Sequence, residues 1–222
     1  YTASGTGGIA NGTLAVNVQK VNDLFFNAIS SPQTAGTNIP YTVTARQAGG
    51  ATATAFNGTA QVSAVYSGQN ITVSVGNITF TNGVSSGNNA LLYDATESTQ
   101  RVTLTASTSL PSGVTTGLST NFAVNPSAAS KLLVVGPGQF IEPGVDGGNG
   151  RVGGSLSTTS QQAGSYFYVT VYAVDAYWNT VTSASGTVTI SSSDTQASFT
   201  PASSGFTSGK AYFRVTMGTV GN

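Results

Sequence analysis

Seven acidic and seven basic side chains, with no histidine and no cysteine, are all the ionic chemistry this sequence of 222 residues holds. The usual general base, the commonest transition-metal ligand, thiolate nucleophiles and disulfides are therefore missing. What remains is carboxylate chemistry. Asp94 and Glu97, in YDATES (93–98), have the residue types of a glycosidase pair. That reaction needs a defined carboxylate separation and a substrate cleft; a solvated acidic loop needs neither. Glu142, Asp146 and Asn149, in GPGQFIEPGVDGGNGRVGGSLSTTSQQ (136–162), could supply oxygen ligands to calcium, the only cofactor the sequence suggests. A calcium loop masses more acidic oxygens at fixed spacing, so a Gly-rich loop packed over a sandwich edge or between units is the competing reading. Tyr177 and Trp178 could present an aromatic platform to a sugar ring or a neighbouring subunit, or fold back to cap one end of the fold.

Other signals are weak. The cluster GTGG (5–8) lacks the strand–helix context of a phosphate loop. Balanced, sparse charge argues against a nucleic-acid partner, which needs clustered Lys and Arg. Sequons stand at Asn11, Asn57, Asn70 and Asn77, about as many as chance gives in so Ser/Thr-rich a chain. There is no apolar run near 18 residues, so no membrane-spanning helix is expected. The N-terminus lacks the charged-then-apolar pattern of a signal peptide, and the sequence reads as a mature secreted product or as a piece of something longer.

The elements that must position these residues are strands. Apolar residues recur with period two at Leu14, Val16 and Val18; at Tyr41, Val43 and Ala45; at Ala60, Val62 and Ala64; and at Ile71, Val73 and Val75. The pattern continues at Val102, Leu104 and Ala106, at Phe167, Val169, Val171 and Ala173, at Val188 and Ile190, and at Ala211, Phe213, Val215 and Met217. Short alternating runs between Gly/Asn/Ser turns, in a chain 39% hydrophobic, predict an all-β fold of antiparallel sandwiches.

Internal repetition sets the organisation. SPQTAG (31–36) and YTVTA (41–45) match SQQAG (160–164) and VTVYA (169–173), and NGTAQVS (57–63) matches SGTVTIS (185–191), all at an offset of about 128. FTNG (80–83) corresponds to FTSG (206–209). A second comparison aligns AVNVQKVNDLFF (15–26) with AVNPSAASKLLV (123–134), at an offset of about 108. Residues 1–18 then read as the closing strands of a preceding unit, 19–127 as one sandwich, and 128–222 as a second without its closing strands. Unit two also carries an insertion of about 20 residues after 136, where unit one has NAISSP. Two arrangements explain the offset ends: a window from a tandem array, or donation of Leu14, Val16 and Val18 to the open sandwich of a neighbouring copy.

The stretch VTVYAVDAYWNTVTSASGTVTISS (169–192) resembles the bacterial immunoglobulin-like repeats of invasin- and adhesin-type surface proteins. Their pattern of apolar strand, Asp, short turn, Asn, Val and second apolar strand is met by Asp175, Asn179 and Val181. Tyr177 and Trp178 stand in a turn where Gly is common, and the first copy has Gln47 in place of Asp175. The resemblance implies tandem Ig-like sandwiches and an extracellular or cell-surface location. The expected role is structural and non-enzymatic: part of a filament or surface rod whose partners are copies of itself or adjacent repeats. The alternative is an adhesin segment that binds glycans or a host protein through the loops of unit two.

Overall fold

The computed structural model describes residues 2–3, 12–13, 19–67, 71–96, 100–109, 111–153 and 160–219, and it is all-β among them. Two short strands near the N-terminus, β1 (Thr2–Ala3) and β2 (Gly12–Thr13), pair antiparallel with each other. A first set of strands follows: β3 (Asp23–Phe26), β4 (Gln33–Thr34), β5 (Asn38–Arg46), β6 (Thr59–Tyr66), β7 (Ile71–Thr79), β8 (Val84–Leu91), β9 (Val102–Ser107), β10 (Gly117–Leu118) and β11 (Val124–Asn125). The second set comprises β12 (Lys131–Val135), β13 (Gln139–Ile141), β14 (Arg151–Gly153), β15 (Tyr166–Val174), β16 (Thr187–Thr189), β17 (Ser198–Thr200), β18 (Ser203–Gly205) and β19 (Lys210–Thr216). Among the described residues no strand of one set pairs with a strand of the other.

In the first set a sheet ordered β3-β5-β8 faces a sheet ordered β10-β9-β6-β7, and β4 pairs in parallel with β11 at the edge. The inward rows are those the alternation marks. Leu24, Phe26, Tyr41, Val43 and Ala45 meet Ala60, Val62, Ala64, Leu104 and Ala106 in one core, with Phe122 and Val124 closing it. Burying a side chain the size of Leu24 or Phe26 stabilises the sandwich by about 2 kcal/mol. One run departs from the expected alternation. At Gly76 (φ 135°) the register against β6 shifts, so Val75 becomes the extra residue of a bulge and Ile78 turns into the core. Val73, on the edge strand before the bulge, is left exposed. A bulge adds one residue to one strand only, which periodicity alone does not register.

In the second set the sheet ordered β12-β15-β19-β17 buries Val169, Val171, Ala211, Phe213 and Val215 against Val188. The repeat extends to individual hydrogen bonds. Gln47 N–H donates to Ala51 C=O as Asp175 N–H does to Asn179 C=O, and Ala53 to Ala45 as Val181 to Ala173. Thr81 N–H donates to Val84 C=O as Thr207 N–H does to Lys210 C=O. Both of those hairpins turn through two residues of positive φ, Asn82–Gly83 (51° and 79°) and Ser208–Gly209 (49° and 73°), the combination a two-residue turn of this hand requires.

Glycine is demanded twice over at the second turn position. A Cβ on Gly83 would lie 2.5 Å from the Ala53 carbonyl oxygen, and one on Gly209 2.6 Å from that of Val181. Gly83→Ala therefore lowers stability by about 3 kcal/mol, from the strained φ and the clash together. Gly49→Ala, at φ 98° with open space around it, costs only about 1 kcal/mol. Thermal or urea unfolding of the two variants checks the difference; equal losses would mean that the close approach contributes nothing.

Candidate functional site

The turn from Asp175 to Asn179 leaves strand β15 at the end of the second set that meets the first. Its backbone closes through Asp175 N–H to Asn179 C=O at 3.0 Å, the bond that Gln47 and Ala51 make in the first copy. The side chains differ. The Asp175 carboxylate is fully buried and accepts four N–H donors: the main chains of Tyr177 and Asn179 at 2.9 Å on one oxygen, and Ser127 N–H at 2.9 Å with Asn179 Nδ2 at 3.0 Å on the other. A buried carboxylate is tolerable when its acceptor positions are filled in this way.

Asn179, also buried, carries the network across to the first set. Its Nδ2 donates to the Tyr93 carbonyl at 2.7 Å as well as to Asp175, and its Oδ1 accepts the Ala95 N–H at 2.9 Å. One amide thus bonds both main-chain sides of the Tyr93–Ala95 segment just beyond β8. The Ser127 bond ties in the connection that leads from β11 to β12.

Tyr177 and Trp178 are both half-buried, and they go opposite ways. Tyr177 packs against the core of the first set, with its ring centroid 4.7 Å from that of Tyr93 and its ring filling the space a side chain at Gly36 would need. Trp178 packs with Leu133, Val135 and Ile141 in the second set. Its Nε1–H donates to the Gly147 carbonyl at 2.7 Å, Gly150 lies against the ring, and the Lys131 ammonium stands 4.0 Å from the ring centroid. Trp178 has φ 67°, where the first copy has Gly50 at 90°. A bulky residue there costs about 1–2 kcal/mol, which the indole's contacts offset.

The Gly-rich segment after 136 packs onto the same turn. β13 and β14 pair as a hairpin, and between them Gly144 and Val145 donate to the Tyr177 carbonyl at 2.9 and 3.3 Å. Gly144 backs directly on Asp94: a Cβ there would lie 2.5 Å from the Asp94 Cβ. The Tyr93 hydroxyl hydrogen-bonds to Asp146, and its pKa is raised, first by desolvation and then by that carboxylate.

Of the residues singled out in the sequence, Asp94, Asp146, Tyr177 and Trp178 thus come together at this joint. Glu142 stays within the hairpin, its N–H donating to the Gly150 carbonyl at 2.7 Å, and Asn149 Oδ1 accepts the Arg151 N–H of its own loop at 3.1 Å. Leu14, Val16, Val18 and Glu97 lie outside the described residues. Among the described residues no three acidic side chains gather as a cation site would require. Ala95, Ser127 and Gly36 had no signal in the sequence, because they act through main-chain atoms or through an absent side chain; Tyr93, which acts through its ring and hydroxyl as well as its carbonyl, was not singled out.

Asn179→Ala leaves the Tyr93 carbonyl, the Ala95 N–H and one Asp175 oxygen short of partners in a buried site. The expected loss is about 3 kcal/mol, read as a lower melting temperature together with faster proteolysis between residues 126 and 130. Unchanged proteolysis there would dissociate Asn179 from the joint. The raised Tyr93 pKa has a definite sign: its contribution is complete below the unfolded tyrosine value near 10 and is lost as pH rises through the higher folded value. In an ultraviolet titration of phenolate, Tyr93→Phe should remove amplitude from the late-ionising tyrosines and leave the early ones unchanged.

No family model matches the chain, and no curated protein matches it. Among solved structures it is similar to a β-glucuronidase from Parabacteroides merdae, with TM-score 0.27 and 10% identity, over 90% of this chain and 22% of that one. It is also similar to domains 5–6 of the S-layer protein SbsC, with TM-score 0.24 and 14% identity, over 90% of this chain and 85% of that one. At these scores neither likeness carries an activity or an assembly over to this chain.

Proposed function

We propose that this chain is a structural component of an extracellular filament or cell-surface rod, built from tandem Ig-like sandwiches of the invasin/adhesin type. The observation that carries the reading is the joint. A side-chain network with every named polar group satisfied spans two sets of sheets that share no strand pairing, and a Gly-rich hairpin is packed over it. Such a joint fixes one sandwich against the next, which a load-transmitting string requires and a flexible tether does not.

Three further observations support the Ig-like assignment. The first set has three strands facing four, and the chain crosses between the two sheets from β5 to β6, from β7 to β8 and from β8 to β9, as Greek-key sandwiches do. The parallel pairing of β4 with β11 joins an early edge strand to a late one. The second set repeats the turn and hairpin hydrogen bonds of the first at the sequence offset.

A second reading, an adhesin segment that binds glycan, has one observation in its favour. Tyr166, Tyr168 and Tyr212 are exposed on the second set, with Tyr166 and Tyr168 edge to face at 5.8 Å. A selective hit on a glycan array, lost in Tyr168→Ala, would favour that reading.

Small-angle scattering tests the structural role directly. The expected profile is that of one elongated particle with a narrow distribution of interdomain distances, broadened in Asn179→Ala. A wild-type distribution as broad as the variant's would overturn the rod.

A further inference from the structure

The matching sheets of the two copies differ in what their outer sides carry. On β15 and β19 the side chains directed away from the core include Tyr166, Tyr168 and Tyr172, with Tyr212, Lys210 and Arg214 beside them. Four of the chain's nine tyrosines therefore share one face of one sheet. In the first set the same places hold Asn38, Pro40, Thr44, Ser86, Val84 and Asn89. Lys210 pairs with Tyr172 as Val84 pairs with Thr44, and Arg214 with Tyr168 as Asn89 with Pro40. The first copy folds with neither a ring nor a charge at these positions.

Tyr166, Tyr168 and Tyr212 are 59%, 66% and 57% exposed. That exposure belongs to the outer side of the fold. Asn38, Pro40, Ser86 and Asn89 are exposed as well, on a sheet whose other face is packed against four strands. Rings so placed add nothing to either core and form an apolar patch in contact with solvent. Tyr166 and Tyr168 meet edge to face with centroids 5.8 Å apart. The Arg214 guanidinium stands 5.3 Å from the Tyr166 centroid and the Lys210 ammonium 5.4 Å from that of Tyr172, so rings and cations form one layer.

Charge is equally one-sided. The strands of this sheet and of the β13–β14 hairpin hold Lys131, Arg151, Lys210 and Arg214, and not one Asp or Glu. The matching sheet of the first set instead pairs Asp23 with Arg46. Among the described residues neither Lys210 nor Arg214 meets a carboxylate. The two cations lie about 14 Å apart along β19, and the row from Tyr166 to Tyr172 spans about 20 Å. Cations that far apart, with rings between them, match a polymer of sparse negative charge. Duplex DNA, with a charge about every 1.7 Å, is far denser.

We propose that this face binds a linear acidic polysaccharide lying along β15 and β19. The C–H faces of its sugar rings stack on Tyr166, Tyr168 and Tyr212, and its carboxylates pair with Arg214 and Lys210. Tyrosines on a flat sheet supply contact area at low entropic cost, because each ring has few torsions to fix. Tyr166 and Tyr168 stand at the end of β15 away from the Asp175 turn, so a bound polymer and the joint occupy different places. The assignment rests on the glycan-binding reading and names the polymer within it.

Affinity electrophoresis of the full chain tests this with polygalacturonate, alginate and hyaluronan, each beside its carboxyl-reduced form. At least one acidic polymer is expected to bind more tightly than its own reduced form, with the difference shrinking as salt is added. Tyr212→Ser and Arg214→Asn place the first copy's residues in the second, so circular dichroism and melting should stay as in the wild type. Tyr212→Ser should weaken binding of both forms about tenfold, whereas Arg214→Asn should weaken the acidic form alone, about threefold. Equal binding of acidic and reduced forms would overturn this inference and leave the glycan-binding reading standing. Retention of none of the polymers would overturn both. Oligothymidylate bound as tightly as the polysaccharides, or folded variants with undiminished affinity, would also overturn the proposal.

Discussion

A carboxylate with no access to water holds the centre of this structure. Asp175 is buried among four N–H donors, and those donors come from its own turn, from the connection after β11 and from the side chain of Asn179. Buried charge is costly unless its acceptors are filled, so the geometry of every donor is constrained together. The turn cannot reorient without stripping the carboxylate, and Asn179 cannot leave the Tyr93–Ala95 main chain without stranding polar groups on both sides. The packing of Tyr177, Trp178 and the β13–β14 hairpin follows from that fixed turn.

The first copy shows the same backbone without this burden. Its turn carries Gln47, Gly49, Gly50 and Ala51 where the second carries Asp175, Tyr177, Trp178 and Asn179. The closing hydrogen bonds are retained, and the Gln47 amide merely donates to Thr52 within its own turn, at 3.2 Å. One turn therefore supports two uses, as a plain reversal or as a hydrogen-bonded seat for the Tyr93–Ala95 main chain of the first set. The distinction lies in side chains alone. A left-handed residue that is Gly in one copy and Trp in the other marks it most clearly, because a bulky residue accepts that conformation only when contacts compensate.

Much of this was legible in the sequence, and the limits have physical causes. The alternating rows at Tyr41–Ala45, Ala60–Ala64 and Val102–Ala106 are the buried rows, because period two maps directly onto the two faces of a strand. The offset repeat reappears as equivalent hydrogen bonds down to the Asn82–Gly83 and Ser208–Gly209 turns. Ile78 could not be read from the alternation of Ile71, Val73 and Val75, because the bulge at Gly76 resets the phase within a single strand. Asp94, Asp146, Tyr177 and Trp178 were visible as chemical types, but not as one group. Their meeting depends on tertiary packing around main-chain atoms of Tyr93 and Ala95 and on the bare backbones of Gly36 and Gly144, which no residue pattern announces.

Trp178 gives the joint its own optical signal. It is the only tryptophan in the chain, and its indole N–H and ring face are engaged by Gly147, Gly150 and Lys131. Emission excited at the red edge of the absorption band therefore comes from the seat of the β13–β14 hairpin against the turn, within the second set, while the tyrosines among the described residues are spread across both sets. Lifting of the hairpin from the turn and melting of the sheets have different colours in this molecule. A single cuvette can follow the two events independently, with no label attached.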